Sequence, residues 1–200
     1  MGEATSSTAL KHRTGRESAD SALRFARRVH LGQHRKQTGE QFVEHPIAVA
    51  HLLRKMNCDE DLIKAAYLHD VVEKTEVETP EIRDRFGDRV AGVVEALTED
   101  PALPGYAERK RALRAKVLGG GGGRDAVLIY AADRLANMRD WSRIDPDSRP
   151  ACADRLGTTL EERLALWSED LVELTGYDAD LPFLAEIEVE LRDLRAAAGG

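Results

Sequence analysis

Apolar residues recur along this chain at the spacing of one helical face, interrupted by short runs rich in glycine, proline and small polar residues. Ser18 is placed to cap a first helix running to about Leu31, with Leu23, Ala26 and Arg27 at helix spacing and Val29 and His30 closing it. A polar stretch, Gly32 to Glu44, follows. Pro46 suits the first turn of a second helix, which Ile47, Val49, Ala50, Leu52 and Leu53 carry to about Met56. Asp59 caps a third, apolar through Leu62, Ala65, Ala66, Tyr67 and Leu68 as far as the pair His69-Asp70. Thr79-Pro80 reads as a capped start with proline at the first helical position, and Gly87 ends that short helix. Asp88 opens another through Val90, Val93, Val94 and Leu97.

After a turn at 101–105, a basic helix passes through Ala112, Leu113 and Val117. Five glycines, 119–123, then break the chain and predict a flexible surface loop. An apolar helix over Ala126–Trp141 and two more at 150–175 and 181–197 complete the pattern. No alternating strand pattern and no internal repeat occurs. The expectation is an all-α helical bundle forming a single domain over 18–200, preceded by a flexible leader at 1–17.

Composition narrows the function. The 200 residues carry a formal net charge of -7, and the pI is near 5.4. Such a chain lacks the basic surface that broad nucleic-acid binding needs. A small anionic ligand is still accommodated, because a few clustered Arg and Lys residues make a local positive pocket. Cys58 and Cys152 form no CxxC pair and read as reduced thiols. No run approaches the ~20 apolar residues of a membrane span, and the leader has no apolar signal core. A cytoplasmic protein is expected.

Three places concentrate metal-ligand chemistry: His45 beside Pro46, the pair His69-Asp70, and Asp133 within AADRLANM. Each lies in or at the end of an apolar helix, where an unpaired polar group is costly. One divalent cation would partner several of them together. Two imidazoles and two carboxylates make a mixed nitrogen and oxygen set suited to Mn²⁺, Fe²⁺ or Zn²⁺. Glu73, one helical turn after His69, is the candidate for positioning an attacking water or moving a proton.

The stretch AxxxHxGQxRKxxGxxFxxHPxxVAxxL (26–53), then AAYLHDVVEKT (65–75) and ADRLANM (132–138), resembles the hydrolase (HD) domain of RelA/SpoT-type alarmone enzymes. TPEIRDRFGDRVAGVVEALTED (79–100) also matches that family's connecting helices. The resemblance covers about Ser18 to Arg143. It implies a Mn²⁺-dependent 3′-pyrophosphohydrolase acting on (p)ppGpp and giving GDP or GTP and pyrophosphate. By the same resemblance His45, His69, Asp70 and Asp133 match the metal ligands, and Arg35 and Lys36 the basic residues near the nucleotide. Glu73 matches the first acid of HDxxED, and Arg134 and Asn137 the residues following the last metal aspartate.

Two positions depart from the family pattern. Lys74 stands where the motif carries its second acid, and Ala136 where it usually carries histidine. A lysine cannot accept a proton as a carboxylate does. Lys74 therefore opens three outcomes: hydrolysis on Glu73 alone, a phosphate contact that shifts substrate choice, or a non-hydrolytic alarmone-binding regulator. Hydrolysis of another nucleotide phosphoester is a further alternative. Too few residues follow Arg143 for a second sizeable catalytic domain, so alarmone degradation without synthesis is expected.

Other residues read more plainly. His30 and His34 suit structural or loop roles, His51 a helix surface, and His12 the leader. Arg109, Lys110, Arg111, Arg114 and Lys116 suit a solvated face paired with acids, and the resemblance to the RelA/SpoT-type family implies Arg109 as a substrate contact. Trp141 and Trp167 read as core anchors, and Tyr106 as a residue equally able to stack on a base or to pack.

Overall fold

The computed structural model describes residues 17–198. The expected leader (except Glu17) and His12 lie outside them. Eleven α-helices and one 3₁₀ turn account for the described architecture, and the only β feature among these residues is an isolated antiparallel bridge between His34 and Gln41.

Local chemistry sets most boundaries. Helix α1 (Ala19–Val29) starts where the Ser18 side chain accepts from the Ser21 N–H, and it buries Ala19, Ala22, Phe25 and Ala26. Helix α2 (Glu44–Lys55) holds Pro46 in its first turn. Helix α3 (Glu60–Leu68) is capped by Asp59, whose carboxylate accepts from Leu62 N–H at 3.0 Å, and it is buried from Leu62 to Leu68. A separate single turn, α4 (Val71–Lys74), follows the His69-Asp70 pair. Helices α5 (Thr79–Phe86) and α6 (Asp88–Leu97) meet at Gly87, whose φ of 95° lies in the left-handed region that glycine alone enters freely. Thr79 sits inside α5 rather than capping it; Glu78 holds the cap position without a side-chain bond.

Helix α7 (Tyr106–Leu118) leads into α8 (Gly123–Ser142), the longest helix, which is buried on nearly every side. It packs against α2, α6 and α7 as well as α11 (Leu184–Ala196). The five glycines between α7 and α8 form a tight hydrogen-bonded turn, not the open loop expected from composition. Gly119 N–H donates to Ala115 O at 2.9 Å, Gly121 N–H to Lys116 O at 3.0 Å, and Gly123 already begins α8. Gly122 has φ 72° and lies so close to α6 that a Cβ would stand 2.9 Å from Ala96 Cβ.

The single helix expected over 150–175 is two: α9 (Arg149–Arg155) and α10 (Leu160–Tyr177). Gly157, at φ 70°, turns the chain, and Thr159 caps α10 by accepting from Glu162 N–H at 3.0 Å. Trp141 and Trp167 fill the core between α8 and α10 edge to face, 6.1 Å between ring centres.

Candidate metal centre

Three elements bring the expected quartet together. His45 enters from the first turn of α2, His69 and Asp70 from the break between α3 and α4, and Asp133 from the middle of α8. His45 Nε2 lies 2.7 Å from Asp133 Oδ1 and 3.9 Å from Asp70 Oδ2. His69 Nε2 lies 3.5 Å from Asp70 Oδ2 and 3.8 Å from Asp133 Oδ1. Ligand atoms bonded to one first-row cation at ~2.1 Å stand roughly 3–4 Å apart, so the donor set fits a single ion. One ligand atom each from His45, His69 and Asp70 falls within 4.8 Å of the others.

The tautomer of His69 fits as well. Its Nδ1–H donates to the Ala66 carbonyl at 2.8 Å, which leaves Nε2 as the ring nitrogen facing the carboxylates. That buried Nε2 has no hydrogen-bond partner. Asp133 is steered from both sides: Asn137 Nδ2 donates to its Oδ1 at 2.7 Å, and Arg134 Nη2 sits 2.9 Å from its Oδ2.

Burial opposes every charge here, and the neighbours decide the outcome. Burial would raise Asp133, yet Arg134 and the two imidazoles hold it well below the usual carboxylate range. Asp70 is likewise held low, with His69 and His45 outweighing burial. Burial and then Arg35 push His45 down. Burial would also lower His69, but Asp70 and Asp133 prevail and raise it to about 9. Without a cation, the cluster keeps a proton on His69 where a divalent ion would place two positive charges.

The quartet lines a cavity of about 450 Å³. Arg35, Lys36, Lys74, Arg109 and Arg134 also line it, as do Asn137 and Glu73. Arg35, buried in the 30–43 connection, donates to Asn137 Oδ1 at 2.7 Å and pairs with Asp140 at 3.1 Å. Glu73 is engaged on both oxygens: Lys74 Nζ donates to Oε1, and the Glu99 N–H donates to Oε2 at 3.3 Å. Burial works against the Lys74 ammonium, but Glu73 and Asp70 keep its pKa above the ordinary lysine value.

Tyr106 is directed elsewhere. Its hydroxyl accepts from Arg163 Nη1 at 3.0 Å, and it is not among the residues lining the cavity. His34 does line it, whereas His30 is buried against Phe42 and hydrogen-bonded to Gln33, and His51 is exposed. The basic helix is only partly a solvated face. Arg111 pairs with Glu169 at the surface, while Arg114 is buried on Asp170 and Glu169.

Two cavity or core residues had not been singled out from sequence. Glu99 accepts from Arg109 Nε at 3.1 Å and from Lys110, drawing both cations to the cavity wall. Asp170 is the second; its signal was an acid on the stripe Arg163, Trp167, Leu174 that α10 turns inward.

The model of the HD domain family matches residues 22–159. The chain belongs to the HD-domain family. Its relatives lie in the RelA/SpoT-type branch. The human protein named guanosine-3′,5′-bis(diphosphate) 3′-pyrophosphohydrolase MESH1 is 38% identical over 138 residues, 66% of this chain and 75% of that protein. An Aquifex aeolicus protein named guanosine-3′,5′-bis(diphosphate) 3′-pyrophosphohydrolase is 32% identical over 155 residues, 76% of this chain but 22% of its own length. This HD domain spans about a fifth of that and other bacterial relatives. Among solved structures, a metazoan ortholog of SpoT described as hydrolyzing ppGpp superposes with a TM-score of 0.68 at 28% identity, over 90% of this chain and 95% of that one.

Proposed function

We propose that this chain is a Mn²⁺-dependent hydrolase that removes the 3′-diphosphate of a (p)ppGpp-like alarmone nucleotide, giving GDP or GTP and pyrophosphate. The observation that carries the reading is the convergence of His45, His69, Asp70 and Asp133 in a cavity that several Arg and Lys side chains also line. The names of the human and Aquifex relatives support the substrate class.

In this reading His45, His69, Asp70 and Asp133 hold the cation, with Fe²⁺ or Zn²⁺ as other ions the donors would accept. When bound, the ion neutralises phosphate charge and acidifies water. The chain's own residues do the rest. Asn137 and Arg134 keep the Asp133 carboxylate oriented. Arg35 and Lys36 on one wall and Arg109 on another attract and orient the anionic nucleotide. Glu73 orients the attacking water and accepts its proton once Lys74 Nζ leaves Oε1 for a substrate phosphate. Tyr106, bonded to Arg163 away from the cavity lining, has no substrate role in this reading.

Pyrophosphate release from ppGpp with Mn²⁺ tests the reading. The wild type should exceed Asp70→Ala and Asp133→Ala by at least ~100-fold, the usual scale for losing a group that acts on the reacting centre; equal rates would refute it. One observation favours a second reading. Because Glu73 is engaged by Lys74 and Glu99, a chain that binds the alarmone without turnover is consistent with the site. Tight ppGpp binding without product, together with a gain of activity in Lys74→Asp, would select it. A parallel panel of nucleotide phosphoesters separates both from hydrolysis of another substrate.

A further inference from the structure

The charge on Arg134 needs more than the metal centre supplies. Its guanidinium is buried, lies over the Tyr130 ring at 4.4 Å, and bonds Asp133 Oδ2, while its Nε has no hydrogen-bond partner. A cation shared among the quartet would draw on the same Asp133 charge. The other carboxylate beside Arg134 is Asp170 of α10, 1% exposed, whose Oδ2 stands 3.8 Å from Arg134 Nε. Its Oδ1 accepts from Tyr130 OH at 2.7 Å and from Arg114 Nη1 at 2.9 Å, so its position is fixed from two other helices. Arg114 has a second acid, Glu169 Oε2 at 2.8 Å, and does not depend on Asp170 alone.

We infer that Asp170 is a positioning residue for the metal centre. It supplies the counter-charge that keeps Arg134 seated on Asp133 Oδ2, so that Asp133 Oδ1 stays turned toward His45 when a divalent cation binds. The inference rests on the quartet being a metal site. Removing one partner of a buried ion pair leaves the other uncompensated, and outer partners of metal ligands typically govern 10–100-fold in affinity. The stripe on α10 thus ties the C-terminal helices to the chemistry of α8.

Mn²⁺ titration of the purified chain, followed by the free-ion electron paramagnetic resonance signal, tests this without reference to turnover. Asp170→Asn should bind Mn²⁺ about 10–100-fold more weakly than the wild type. Glu169→Gln, which removes the part-exposed acid that Arg111 and Arg114 share, should stay within about fivefold. In an Arg134→Gln background, Asp170→Asn should add little, because both act through one pair. Wild-type affinity in Asp170→Asn, or an undiminished loss in the Arg134→Gln background, overturns the inference. If Asp170→Asn fails to fold, recovery of folding in the Arg134→Gln, Asp170→Asn double variant supports it, and failure of both assigns Asp170 to core structure alone. A wild type that binds no Mn²⁺ would remove the metal reading itself, an outcome distinct from any of these.

Discussion

Consider the metal-free protein titrated from pH 6.5 to above 9. His69 carries the cluster's proton there because Asp70 and Asp133 overcome burial and raise it to about 9. Its unfolded value is near 6.5. A base whose folded pKa is raised contributes stability that is fully present below the unfolded pKa and is lost as pH climbs through the folded one. A shift of about 2.5 units at ~1.4 kcal/mol each corresponds to about 3 kcal/mol, a large share of the 5–15 kcal/mol that holds a typical domain. His45 acts oppositely: burial and Arg35 lower it, so its contribution is lost as pH falls below about 6.5. Metal-free stability should therefore peak near 6.5 and decline by about 3 kcal/mol on the alkaline side. Urea unfolding in EDTA at several pH values measures this directly. With saturating Mn²⁺, the extra stability conferred by the ion should instead grow between pH 6.5 and 8, since binding displaces the His69 proton. A metal-free curve that is flat or rising between 6.5 and 9 would refute the assignment of that proton.

Gly122→Ala should lower stability by about 1–3 kcal/mol, read as a fall in Tm, because φ is 72° and the new methyl would press on Ala96 and Ala126. Arg35→Lys should raise KM for ppGpp more than it lowers kcat, because a lysine cannot span Asn137 and Asp140 together; steady-state kinetics on a folded variant decide it. Trp141→Ala should cost about 3–5 kcal/mol in urea unfolding by emptying the α8–α10 contact.

The all-α architecture and the candidate group His45, His69, Asp70 and Asp133 were legible in sequence because both depend on short-range signals. Ser18 and Asp59 cap where expected, Gly87 separates two helices, and the HD pair falls at the end of an apolar run. What escaped was set by partners distant in the chain. The glycine run became an ordered turn because α6 packs against Gly122, which composition does not reveal. The engagement of Glu73 depends on Glu99, 26 residues away, and the direction of Tyr106 on Arg163, 57 residues away. Gly157 and Thr159 did carry the break between α9 and α10, but the apolar periodicity on either side masked it.

A crystal of this protein grown with Mn²⁺ and measured at the manganese absorption edge tests the central claim most directly. The account predicts one strong anomalous peak at bonding distance (~2.2 Å) from His45 Nε2, His69 Nε2 and a carboxylate oxygen of both Asp70 and Asp133. A peak bonded to other residues, or an empty quartet at saturating Mn²⁺, would contradict it.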